Sequence, residues 1–186
     1  AIGQLVKATN NNTIAIGVQT TASGSNSTVV GSSASASGAS SAAYGTQSMA
    51  NGKGAIAVGP GANAGKSNTA GTTDGEREGT TAVGRVAKAT EAAATAVGWS
   101  ANASAKNATA LGYGATASLA DGVALGSNSV TTTDKGQVGY NPADNRTNKY
   151  SDQAGAIGTS TLAAVSVGNG TTATRQITGL AAGTAD

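Results

Sequence analysis

The chain has 186 residues, a net charge of +2, 28 Gly, 40 Ala, 4 Tyr, 1 Trp and no Phe, Cys or His. Its 38% hydrophobic fraction is mostly alanine, which rules out an ordinary core of Leu, Ile, Val and Phe. The missing Cys and His exclude disulfides, thiolate or imidazole metal sites and histidine-based catalysis, and the scattered charges give no nucleic-acid footprint.

From residue 1 a small-apolar-Gly triplet recurs every 14 residues: Ala1-Ile2-Gly3, Ala15-Ile16-Gly17, Val29-Val30-Gly31, Ala43-Tyr44-Gly45 and Ala57-Val58-Gly59. After a jump of 25 residues the series resumes as Ala82-Val83-Gly84, Ala96-Val97-Gly98, Ala110-Leu111-Gly112 and Ala124-Leu125-Gly126. The jump is one repeat plus an 11-residue insertion, placed near 66–80. Such repetition is the signature of a solenoid. Below, each triplet Gly is position 0.

Each unit holds two short segments. Positions −4 to −1 are apolar or small on both faces, whereas +3 to +6 alternate small and polar, the period of a strand. Fourteen residues suffice for two strands and two tight turns, and the glycines at 0 and at +6 to +9 suit turns of positive φ. Successive coils pair through parallel ladders about 4.8 Å apart, making nine coils a rod of about 45 Å. No apolar run reaches the ~18 residues of a membrane-spanning helix.

The second strand has one polar face and so meets water. The first has none, so one of its faces must be covered by something outside the coil, which predicts a homo-oligomer. The branched residues at −1 and −3 are placed inside the coil. The alanines at −2 (Ala15, Ala43, Ala57, Ala82, Ala96, Ala110 and Ala124) are placed against partner chains, where a small side chain permits close approach. The opposite facing is the alternative.

Position +1 brings Arg85, Trp99 and Tyr113 into consecutive coils, close enough for aromatic stacking and a cation–π contact. They read either as an exposed ligand ledge or as a cap over a turn or seam. The insertion, with Asp74, Glu76, Arg77 and Glu78, reads as a solvated loop on a rigid scaffold. Strings of the form G-x-G-x-x-A, as at Gly52, come from the repeat and lack the helix that a dinucleotide site needs. The nine acids do not recur in step with the coils, which speaks against calcium-binding turns and paired catalytic carboxylates. No cofactor, metal or enzymatic activity is expected.

The period breaks after Gly126, and 131–161 reads as an irregular insert. Apolar signal returns with Leu162-Ala163-Ala164-Val165-Ser166-Val167-Gly168, then Arg175-Gln176-Ile177-Thr178 and Ala181-Ala182-Gly183. Here the chain resembles the heads of YadA-like trimeric autotransporter adhesins of Gram-negative bacteria. Asn12-Thr13-Ile14-Ala15-Ile16-Gly17 and Asp121-Gly122-Val123-Ala124-Leu125-Gly126 are similar to that family's head repeat. Val138-Gly139-Tyr140-Asn141-Pro142 through Val165 is similar to its head insert motif, with Asn141 where Asp is more usual. Val165, Val167, Gly168, Arg175, Gln176 and Ile177 are similar to its neck.

The resemblance implies an all-β, left-handed parallel β-roll assembled as a homotrimer. Residues 1–130 would form the head, 131–161 the insert and 162–186 the neck. It implies exposure on the bacterial surface, a signal peptide before residue 1, and a coiled-coil stalk and outer-membrane anchor after residue 186. It implies attachment to host matrix proteins such as collagen, laminin or fibronectin, or to host cell receptors, with no role for nucleic acid. The binding positions it suggests are the motif residues Asn12, Thr13, Asn26 and Ser27, taken as facing outward. The competing reading from the residues is an ice-binding or purely structural surface solenoid. An ice-binding face needs regularly spaced Thr, which here is mixed with Lys, Met, Asn and Ser.

Overall fold

The structure is a computed structural model that describes residues 1–66, 78–138 and 159–179. Residues 67–77 of the expected loop, 139–158 of the expected insert and 180–186 of the expected neck lie outside the described residues.

Each 14-residue unit forms one coil of a parallel β-solenoid, and two sheets run along its length. The first sheet has nine strands. Eight hold three residues: β2 (Ile14–Ile16), β4 (Thr28–Val30), β6 (Ala42–Tyr44), β8 (Ile56–Val58), β10 (Thr81–Val83), β12 (Thr95–Val97), β14 (Thr109–Leu111) and β16 (Val123–Leu125). The ninth is β17 (Val165–Ser166). The second sheet has eight two-residue strands: β1 (Lys7–Ala8), β3 (Thr21–Ala22), β5 (Ser35–Ala36), β7 (Met49–Ala50), β9 (Asn63–Ala64), β11 (Lys88–Ala89), β13 (Asn102–Ala103) and β15 (Thr116–Ala117). Equivalent positions pair in register, as in Thr81↔Thr95, Ala82↔Ala96 and Val83↔Val97.

Four positions of each coil point inward: −4, −2, +3 and +5. In the coil around Gly98 they are Ala94, Ala96, Ala101 and Ala103, none with any exposed surface. Across the solenoid they are filled almost wholly by Ala, Ser and Thr, and Val29 is the one larger apolar residue fully enclosed. Two strands so short leave only a slit between the sheets, so small side chains fill it to ordinary packing density. Backbone pairing between coils carries the polar groups that a thin core could not shelter.

The turns follow a period of seven rather than 14. Asn12, Gln19, Asn26, Ser33, Ser40 and Gln47 all adopt left-handed φ near +55°, and the series returns with Val86, Ala93, Ser100 and Asn107. Each coil is thus two similar half-turns. The glycine at position 0 answers a different need. At Gly17 (φ +141°) an added Cβ would lie 2.2 Å from the carbonyl oxygen of Gly31, so both the dihedral and the close passage of the next coil require glycine.

The facing expected of the first strand is reversed. Ala15, Ala43, Ala57, Ala82, Ala96, Ala110 and Ala124 are fully buried within a single chain and cannot meet a partner. The branched residues point outward instead, because the slit has no room for them. The second strand faces as expected, with Ala at +5 inside.

The insertion leaves the coil stacking intact. β10 pairs directly with β8, so Ile56 stands beside Thr81 although 25 residues separate them. The coil pattern runs to Lys66 and resumes at Glu78. Two ion pairs bridge the coils on either side, Lys53 Nζ to Glu78 Oε1 at 3.0 Å and Lys66 Nζ to Glu91 Oε1. The second interruption closes in a similar way: Val138 bridges Thr159 antiparallel, and Gly136 N donates to Ser160 O at 2.7 Å. β17 then pairs with β16, placing Val165 beside Val123 and Ser166 beside Ala124. The Val165-Ser166-Val167-Gly168 run therefore adds one more strand to the first sheet.

Candidate interaction surfaces

The outer face of the first sheet carries an apolar stripe along the whole rod. The −1 column runs through Ile16, Val30, Tyr44, Val58, Val83, Val97, Leu111 and Leu125, stacked in register. The −3 column adds Ile14, Ile56 and Val123, interrupted by Thr81, Thr95 and Thr109. Ile14 is 51% exposed and Leu111 43%. Contiguous apolar surface of this extent marks a binding face. The outer face of the second sheet is its opposite: its +4 column reads Lys7, Thr21, Ser35, Met49, Asn63, Lys88, Asn102 and Thr116. That mixture lacks the regular threonine spacing of an ice-binding face.

The turn after the first strand carries the expected ledge. The Arg85 guanidinium carbon lies 5.3 Å from the Trp99 ring centroid, and the Trp99 and Tyr113 rings are 5.2 Å apart and inclined at 68°. Both aromatics stay half exposed. In-register stacking of coils brings the three together, and edge-to-face and cation–π attraction hold them. Beside them lies an open groove of about 320 Å³ lined by Val86, Lys88, Ser100, Asn102 and Thr116.

The motif residues of the other turn behave unevenly. Asn12 and Asn26 are exposed and joined by Nδ2 to Oδ1 at 3.1 Å, a side-chain ladder between coils that Asn107 and Asp121 repeat at 2.8 Å. Thr13 donates to Asn10 O at 3.0 Å and so closes its own turn. Ser27, expected to face outward, is fully buried at the inward −4 position.

In the C-terminal segment, Arg175 reaches back to the last coil. Its guanidinium donates to Ser127 Oγ and Ser129 Oγ, both at 3.0 Å, and to the carbonyl oxygens of Ser127 and Val167. In earlier coils the carbonyl at +1 accepts from the backbone N–H of the next coil, as Val18 O does from Ser33 N. Arg175 supplies that donor where Ser127 has no further coil. Val165, Gln176 and Ile177 are exposed, Val167 and Gly168 partly so. Nothing in the spacing of residues pointed to this contact across 46 to 48 positions.

Compared with known families, this chain matches the YadA head domain repeat at 8–34, 22–48, 36–62, 50–69, 78–101 and 103–129, more than half of its length. The chain belongs to the YadA head repeat family. The matched segments are those that form coils in register, and the break between 69 and 78 falls at the insertion. The chain is thus the head of a YadA-like trimeric autotransporter adhesin. No curated protein matched the chain.

Proposed function

We propose that this head works as a homotrimer on the bacterial surface, attaching the cell to host matrix proteins such as collagen, laminin or fibronectin, or to host cell receptors. The observation that carries the reading is the outward apolar stripe of the first sheet. A single chain leaves it in water at about 25 cal/mol per Å² of apolar area, whereas three copies facing a common axis cover it. The polar sheet and both turns then remain outside. Residues 131–161 act as the head insert and 162–186 as the neck. The C-terminal anchor of the longer protein holds the assembly in the outer membrane. Attachment is multivalent: three identical faces, repeated coil by coil, sum weak contacts into avidity. Asn12, Asn26 and Thr13 lie on exposed turns available to such contacts, and Ser27 does not.

A solid-phase panel of collagen, laminin, fibronectin and intact host cells tests this. Saturable binding by the assembled head, lost when the assembly is dissociated, is the expected result. Absence of binding across the panel contradicts the adhesive role.

A further inference from the structure

We propose that the groove beside the Arg85–Trp99–Tyr113 ledge binds an acidic saccharide, a sugar chain bearing carboxylate or sulfate groups. The inference rests on the adhesive reading above and gives it a ligand class. The groove crosses three coils. Val86 and Ser100 form one wall at +2, and Lys88, Asn102 and Thr116 form the other at +4. Arg85 and Trp99 are the chain neighbours that directly precede the first wall. Gly114 continues that wall without a side chain, which leaves the groove open toward Tyr113.

Charge is segregated around the coil. The acids of the described coils, Glu78, Glu91 and Asp121, all lie on the far turn. At +1, +2 and +4 not one of the nine units carries Asp or Glu, while Arg85 and Lys88 bring two cations to one coil. Among the described residues the ion pairs are Lys53–Glu78 and Lys66–Glu91, so neither groove cation is neutralised there. Two cations facing no carboxylate favour an anionic ligand.

The walls argue for a sugar over a peptide strand. β13 is already paired with β11 and β15, so its backbone offers no free ladder for an added strand. The groove offers side chains instead. Lys88, Ser100, Asn102 and Thr116 make no side-chain hydrogen bond to another described residue, leaving an ammonium, two hydroxyls and an amide for a ligand. Sugar hydroxyls pair with such groups, the apolar C–H face of a pyranose packs on the half-exposed aromatics, and an acidic substituent meets Arg85 or Lys88 in a charge-assisted hydrogen bond.

The test is binding of the whole head to immobilised heparan sulfate and hyaluronan, with dextran as the neutral chain. Affinity for at least one acidic chain that falls with rising salt, and none for dextran, is expected. Arg85→Ala with Lys88→Ala should weaken it at least about tenfold, the worth of one charge-assisted bond. Lys7→Ala, in the same column at the far end of the rod, should leave it unchanged. Equal binding to dextran, an undiminished double variant, or an equal loss from Lys7→Ala overturns the proposal. A head that adheres to matrix proteins but ignores both acidic chains overturns the groove alone. One that binds the acidic chains through this groove but no matrix protein or cell overturns the matrix reading alone.

Discussion

The two sheets share one interior and present opposite exteriors. On the inside, Ala96 of the first sheet and Ala103 of the second do the same job, filling the slit between strands with nothing larger than a methyl group. On the outside, Val97 and Leu111 stand where the second sheet has Asn102 and Thr116. The inward residues therefore set the coil, and the outward ones set what the coil touches. A solenoid separates these tasks more cleanly than a globular domain, where one apolar face usually serves both folding and assembly.

The largest effect that would break the comparison is on the shared interior. Gly98→Val places a Cβ 2.5 Å from Gly112 O and a β-branched side chain at φ +135°. We expect a loss of more than ~3 kcal/mol in denaturant unfolding, whatever the assembly state. A loss below 1 kcal/mol would mean that the coils separate easily. Next come matched charges on the two exteriors. Val97→Glu should dissociate the assembly while each chain keeps its β-sheet circular dichroism, and Thr116→Glu should alter neither. Dissociation by both, or by neither, would erase the distinction between the sheets. At the end of the rod, Arg175→Ala leaves Ser127 O and Val167 O without their guanidinium donor, so hydrogen exchange in the last coil should quicken by about 1–2 kcal/mol of local stability. Unchanged protection would show that the arginine caps nothing. The smallest effect concerns Lys53–Glu78, an exposed pair beside the insertion. Glu78→Gln should cost no more than ~0.5 kcal/mol by thermal unfolding, a difference that vanishes in high salt.

Much of this was legible in the sequence because a solenoid writes its geometry in its period. The 14-residue spacing located both strands of every coil to within a residue, and the same arithmetic foretold that Arg85, Trp99 and Tyr113 would meet. The facing of the first strand was misread because apolar character alone does not say which side is inside. Size would have said it: the −1 position tolerates anything from Val58 to Tyr44, which a slit cannot, whereas −2 is Ala in all but one unit. Ser27 was misplaced for the same reason, being polar in kind but inward in phase. Arg175 and the pairing of β17 with β16 were out of reach because they join segments across an interruption of no fixed period. The groove was hidden too, since it needs Gly114 and the two cations placed on one turn in space.

The central claim is that copies of this chain cover the outward face of the first sheet. Sedimentation equilibrium of the head measures it directly. The account predicts a mass near three chains of 17.5 kDa, about 52 kDa, stable on dilution. A species of 17.5 kDa with intact β-sheet structure would contradict it.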